Sequence, residues 1–181
     1  MKIEKLLELD QSTTRHIRLQ PESSRVWWAS VIFAHSGDSW FWLAFLAIVF
    51  LFGNQATKSA VLFVAISICV LALFIFGVKL LIRRQRPPGS WGKIYRIADP
   101  HSFPSGHAAR AFLIAYLCWI YTPTWLAVLI TLWAILVCFS RVSTGLHYIS
   151  DILAGSVIGI AAGAVFIQLL PVYTRVISQF F

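Results

Sequence analysis

The chain has 181 residues, 59% of them hydrophobic and 12% charged, with a mean hydropathy of +0.76. Soluble domains carry roughly a quarter charged residues, so this composition excludes an ordinary water-soluble domain and reads as a membrane protein. The net charge of +8, from 15 Lys and Arg against 7 Asp and Glu, points to anionic headgroups or an anionic substrate. No aromatic–basic recognition module accompanies it, which argues against nucleic acid.

In chain order, residues 1–25 are polar and mixed in charge, with interspersed Leu6, Leu7, Leu9, Ile17 and Leu19. They show no signal-peptide pattern and predict an amphipathic helix on the membrane surface. Val26–Ala34 is too short to span and reads as a partly embedded helix ending at His35-Ser36-Gly37-Asp38, with a tilted span as the alternative. Five spans are predicted after it, with six possible: Ser39–Gly53, Ser59–Val78, Ala108–Tyr121, Thr124–Phe139 and Ile149–Leu170. Tight links at Asn54–Lys58 and Thr122–Pro123 make their flanking helices antiparallel neighbours. The long link from Arg83 to Pro104 carries the loop signals Pro87-Pro88-Gly89-Ser90 and Asp99-Pro100. The expected architecture is therefore all-α, a polytopic membrane helix bundle forming a single domain over 1–181, with an N-terminal interfacial segment at 1–37 and the bundle at 38–170.

Gly155, Gly159 and Gly163 step by four along the last span, which predicts close helix packing inside the bundle, ahead of a dimer interface. The single cysteines Cys69, Cys118 and Cys138 show neither metal spacing nor a disulfide framework and read as core or lipid-facing residues. The eight tryptophans read as interfacial or packing residues.

Three polar clusters lie at span ends, and five spans place them on one membrane face. In Arg141-Val-Ser-Thr-Gly-Leu-His147-Tyr-Ile-Ser-Asp151, His147 and Asp151 are four apart, on one face if helical. A carboxylate there can accept from one imidazole nitrogen and leave the other free to attack. Pro104-Ser105-Gly106-His107 opens a span, where a helix N-terminus offers amides and a positive dipole end to an anion. His107 is placed to protonate a leaving alcohol. Lys79 and Arg86, seven apart, share a face if the helix runs on to Pro87, and with Arg141 they supply cations. Each cluster alone has an ordinary reading: a solvated histidine, a serine N-cap, flanking positive charge. Arg83 and Arg84 fit flanking charge best, and Asp99 and His101 read as loop residues.

Read together, Lys79-x6-Arg86-Pro87, Pro104-Ser105-Gly106-His107 and Ser140-Arg141-x5-His147-x3-Asp151 resemble the three-part signature of the type 2 phosphatidic acid phosphatase family. All polar signature positions match, and the resemblance spans Lys79 to Asp151. It implies a lipid phosphatase acting through a phosphohistidine on His147, with Asp151 orienting it and His107 as general acid. Lys79, Arg86, Ser105, Gly106 and Arg141 would bind phosphate, and no metal or other cofactor would be needed. The chain also lacks the carboxylate-rich cluster expected for magnesium. The implied partners are a membrane lipid phosphate and the bilayer.

The alternatives are a lipid phosphotransferase of the same family and, from a different class, a non-enzymatic transporter or scaffold. A transporter is disfavoured because the charges gather at span ends. The resemblance implies a site on the outer face of a bacterial plasma membrane, whereas the distribution of Lys and Arg by itself favours the cytoplasmic face.

Overall fold

The computed structural model describes residues 2–19, 24–89 and 91–177. Residues 1 and 20–23 of the expected surface segment, and Ser90 of the loop signal, lie outside the described residues. Among the described residues eight helices run in order: α1 (Lys2–Ile17), α2 (Arg25–Ser36), α3 (Ser39–Phe52), α4 (Gln55–Ile82), α5 (Lys93–Ala98), α6 (Gly106–Tyr121), α7 (Thr124–Ser143) and α8 (Ile149–Ile177). The chain is an all-α membrane helix bundle, as the hydropathy pattern predicts.

Among the described residues, α4, α7 and α8 are long and apolar enough to cross a membrane by themselves, and α2 with α3 make a fourth, broken element bent by 57°. The expected span at Ser39–Gly53 and the expected embedded helix before it are thus two halves of one kinked unit. The break falls at Gly37-Asp38, where the chain turns between Ser36 and Ser39. The remaining expected span, α6, has 16 residues, about 24 Å at 1.5 Å per residue. It is the innermost helix, with Ala108, Ala109, Arg110, Ala111, Leu113, Ile114, Ala115 and Leu117 all buried.

Local chemistry sets the helix ends. Ser24 and Asn54 cap α2 and α4, their side chains accepting from Trp27 N at 3.1 Å and Thr57 N at 2.9 Å. The first tight link is therefore shorter than expected, since α4 already begins at Gln55. At its other end α4 stops at Arg83, which takes the left-handed conformation with φ 51°. The helix does not persist to Pro87, so Lys79 and Arg86 do not share a helical face. Arg86 returns toward the bundle through the turn that follows.

The four-residue glycine stripe of α8 lies against α6. A Cβ on Gly155 would stand 2.4 Å from Ser105 O, on Gly159 2.1 Å from Ala109 O, and on Gly163 2.6 Å from the Tyr116 ring. These contacts show the stripe packing within the bundle. Lipid offers no hydrophobic drive to join helices, so close backbone approach between small residues does that work. α6 supplies alanines to meet the glycines.

α1 lies across the turn between α7 and α8. Leu19 N donates to Ser143 O at 2.9 Å, Ile149 N to Thr14 Oγ1 at 3.3 Å and Ser150 N to Asp10 Oδ1 at 3.1 Å. Leu6, Leu7 and Leu9 of α1 remain exposed, as an interfacial helix requires.

The stripe makes a direct prediction. Gly159→Leu should lower the melting temperature in detergent, losing about 1–3 kcal/mol to overpacking. Gly77→Leu, where an added Cβ meets nothing within 4 Å, should leave it unchanged. Equal melting temperatures for both variants would show that the Gly159 face tolerates bulk.

Candidate active site

The C-terminal end of α4, the N-terminal ends of α6 and α8, and the C-terminal end of α7 meet at one end of the bundle. Buried polar side chains gather there: Lys79, Ser102, Ser105, Arg110, Arg141, His147 and Asp151. All eight residues singled out from the sequence contribute to this end.

The turn after α7 positions two of them at once. Leu146 N and His147 N both donate to Arg141 O at 3.1 Å, so the arginine and the histidine are tied through one carbonyl. Gly145 takes φ +73° in this turn, where a Cβ would be strained and would also strike the Arg18 side chain. His147 precedes α8 by two residues, so it sits in a turn rather than on the helix. Its Nδ1 still lies 3.5 Å from Asp151 Oδ2, because Asp151 in the first turn of α8 reaches back and accepts from Tyr148 N at 2.9 Å. Arg86 Nη1 donates to Leu146 O at 2.9 Å and lies 3.0 Å from His147 Nε2. A guanidinium only donates, so Nε2 carries the lone pair and Nδ1 the proton facing Asp151. Burial, then the charges of Arg86, Arg141 and Lys79, hold the His147 imidazole well below its ordinary value of 6.5. It is neutral at pH 7.

Arg141 is fully buried. None of its three guanidinium nitrogens has a hydrogen-bond partner among the described residues, and the Tyr95 ring covers the group at 4.6 Å. The other two expected phosphate cations converge on one carboxylate. Lys79 Nζ donates to Asp99 Oδ2 and to His101 O at 3.0 Å, and Arg86 Nη2 donates to Asp99 Oδ2 at 3.0 Å. Asp99 is thus in the site, not a bystander in the loop. A phosphate entering here would compete with it for both cations.

Ser105 is the N-cap of α6, its Oγ accepting from Ala108 N at 3.4 Å. The capping reading and the anion reading coexist, since the hydroxyl hydrogen and the first-turn amides remain donors. Ser105 N donates to Asp151 O at 3.0 Å, which ties the Pro104–His107 segment to the start of α8. His107 Nε2 lies 2.7 Å from Asp38 Oδ1.

Besides Asp99, four residues with a place here were not singled out beforehand. Arg84 is no mere flanking charge: Nη1 donates to Asp151 Oδ1 at 2.7 Å and Ser150 Oγ at 2.6 Å, and Nη2 to Asp10 Oδ2 at 2.8 Å. Asp38, Tyr95 and Arg110 also converge on the site. The one signal in the sequence was Asp38 itself, a single carboxylate between apolar runs. Burial and Asp38, against the pull of Arg141, push the Tyr95 phenol up to about 12, so it remains a neutral donor.

A cavity of about 980 Å³ adjoins these groups. One wall is apolar, from Ile68, Leu71, Ala72, Ile75 and Phe76 of α4 with Trp40. The other carries Lys79, Asp99, Gly106, His107 and Arg110.

At the end of this membrane bundle a buried guanidinium, without a hydrogen-bond partner among the described residues, thus stands beside a neutral histidine. Residues 59–175 match the PAP2 superfamily, and the chain belongs to that family. It is 42% identical over 65 residues to a lipid A 4'-phosphatase of Bacteroides thetaiotaomicron, covering 35% of this chain and 29% of that protein. It is 27% identical over 133 residues to an undecaprenyl-diphosphatase of Sulfolobus acidocaldarius, covering 71% of this chain and 63% of that one. The chain thus spans less than two thirds of the length of either relative. Two solved structures share the fold. Aquifex aeolicus LpxE has a TM-score of 0.69 at 23% identity, covering 87% of this chain and 93% of that one. A transmembrane PAP2-type phosphatidylglycerolphosphate phosphatase of Bacillus subtilis has a TM-score of 0.75 at 22% identity, covering 91% and 86%.

The orphaned guanidinium can be tested without turnover. Inorganic phosphate should raise the melting temperature of the protein in detergent, through a stabilisation of about 2.7 kcal/mol at a hundred times its dissociation constant. Arg141→Gln should abolish that rise, whereas an undiminished rise in the variant would place the anion elsewhere.

Proposed function

We propose that this chain is an integral-membrane lipid phosphatase, one domain over 1–181, that removes a terminal phosphate from a lipid phosphate or pyrophosphate. The observation that carries this reading is Arg141, a buried cation with no hydrogen-bond partner among the described residues, beside a histidine whose Nε2 lone pair is free of a proton. The names of the relatives, all phosphatases of lipid substrates, support the reaction class. The cavity supports the substrate class: a phosphate end suits the wall with Lys79 and Gly106, and a hydrocarbon tail suits the α4 wall.

In the proposed mechanism the phosphate lies among Arg141, Arg86, Lys79, the Ser105 hydroxyl and the Gly106 end of α6, taking over the cations that Asp99 and Nε2 now engage. Nε2 of His147 attacks phosphorus, forming the N–P bond as the bond to the lipid oxygen breaks. His107 gives its proton to that oxygen, and Asp151 stabilises the positive charge that develops on His147. Water then attacks the phosphohistidine, His107 takes a proton from it, the N–P bond breaks and inorganic phosphate leaves. A second lipid hydroxyl in place of water would make the reaction a phosphotransfer. Three protein cations supply the charge neutralisation that a metal gives elsewhere, so no metal is assigned. We place the site at the outer face of a bacterial plasma membrane.

The two histidines should separate in one experiment. His147→Ala should abolish phosphate release and any phosphoenzyme label that survives an alkaline quench, since a phosphohistidine is acid-labile. His107→Ala should slow a lipid phosphate by about 10²–10⁴-fold yet partly spare p-nitrophenyl phosphate, whose leaving group needs little protonation. A phosphohistidine trapped in His147→Ala would reverse the two roles. Excess EDTA should leave the wild-type rate unchanged, and loss restored by magnesium or zinc would overturn the metal-free mechanism. The same phosphate-release assay run on phosphatidate, phosphatidylglycerophosphate, an isoprenyl pyrophosphate and lipid A identifies the lipid.

A further inference from the structure

The break between α2 and α3 lies outside the residues that match the family, yet it touches the site. Asp38 is buried, and its Oδ1 lies 2.7 Å from His107 Nε2. Tyr95 OH approaches both carboxylate oxygens at 2.9 Å, Trp40 Nε1 donates to Oδ2 at 3.3 Å, and His35 Nδ1 lies 3.3 Å from Oδ2. The turn carrying Asp38 is clamped from three helices. Arg110, one turn along α6 from His107, donates to Gly37 O through Nε at 3.0 Å and Nη2 at 2.6 Å. Trp42 Nε1 donates to Ser36 O at 3.0 Å, and Trp133 Nε1 to Ser36 Oγ at 2.9 Å. A Cβ on Gly37 would lie 3.2 Å from His107 Cδ2 and 2.9 Å from Val137, so the backbone there runs against the imidazole.

We propose that Asp38 is the positioning residue for His107, holding Nε2–H so that Nδ1 serves the leaving group and balancing the imidazolium that must form in each turnover. The inference rests on the reading of His107 as proton donor. The geometry gives it a physical basis. The imidazole has a cation on either side, Arg141 from α7 and Arg110 from its own helix. In a water-poor site a second positive charge there is costly without a carboxylate. Asp38 supplies that carboxylate, and Tyr95, a neutral donor, fixes its rotamer. Each histidine then has its own aspartate: Asp151 behind Nδ1 of His147, Asp38 behind Nε2 of His107. The nitrogen left for chemistry differs accordingly, Nε2 in the first and Nδ1 in the second.

Asp38→Asn keeps the shape and one acceptor oxygen for His107 while removing the charge. It should lower kcat on a lipid phosphate by about 10- to 100-fold and change p-nitrophenyl phosphate turnover by less than about threefold. In a His107→Ala background the same change should have no further effect on either substrate. Equal slowing of both substrates, or further slowing in that background, would overturn the inference in favour of a structural role. A leaving-group-selective loss in His107→Ala without one in Asp38→Asn would overturn it alone. No such selectivity in His107→Ala would remove the proton-donor reading and this inference with it. Should Asp38→Asn not fold, Tyr95→Phe decides: it keeps the ring on Arg141 and removes the donor to Asp38. It should show the same selective loss at smaller size, and an equal effect on both substrates would overturn the inference.

Discussion

A guanidinium buried in a helix bundle without a hydrogen-bonding partner among the described residues is the costly feature on which this end of the molecule depends. Desolvating a charge is tolerable only when something nearby compensates it. The neighbouring cations are each compensated within the chain: Lys79 and Arg86 by Asp99, Arg84 by Asp10 and Asp151, Arg110 by the Gly37 carbonyl. Arg141 has, among the described residues, the face of Tyr95 and no hydrogen-bond acceptor. The arginine is pinned from behind, because His147 hangs from the Arg141 carbonyl. Moving the arginine would move the histidine.

Much of this was legible in the sequence. Composition gave the membrane bundle, and the ends of the apolar runs located the three polar clusters, because a charge in a membrane protein is affordable mainly at a boundary. What stayed hidden is pairing over distance. Asp38 and His107 are 69 residues apart, and nothing in either segment names the other. Arg83 and Arg84 are adjacent and identical in type, yet they part company after the left-handed residue that ends α4. Arg83 Nε turns back to Leu80 O at 2.8 Å, whereas Arg84 is aimed at Asp151. A one-residue difference in backbone direction separates a flanking charge from a partner of the site. Asp99 was hidden for the same reason: its loop reads as irregular until the isolated bridge between Gln85 and His101 folds it back over Lys79.

The small residues of α6 and α8 do more than fill space. The segment that caps α6 lies directly on Gly155, and its Ser105 amide is held by the Asp151 carbonyl. The anion-facing end of α6 and the carboxylate behind His147 are therefore registered by backbone contact, with no flexible side chain between them. Backbone-to-backbone contact of this kind suits chemistry in which a misplacement of about an ångström is expensive.

The kink between α2 and α3 bears on how the chain enters the membrane. Its Gly37 carbonyl and Asp38 carboxylate cannot be left bare in hydrocarbon, and their principal partners, Arg110, His107 and Tyr95, are synthesised about sixty to seventy residues later. Until α6 arrives, this kinked unit must remain at the interface, stay straighter, or keep water at the turn. The amino-terminal third of the bundle is therefore completed by the middle of the chain, and maturation of the turn is coupled to the arrival of the helix that carries His107.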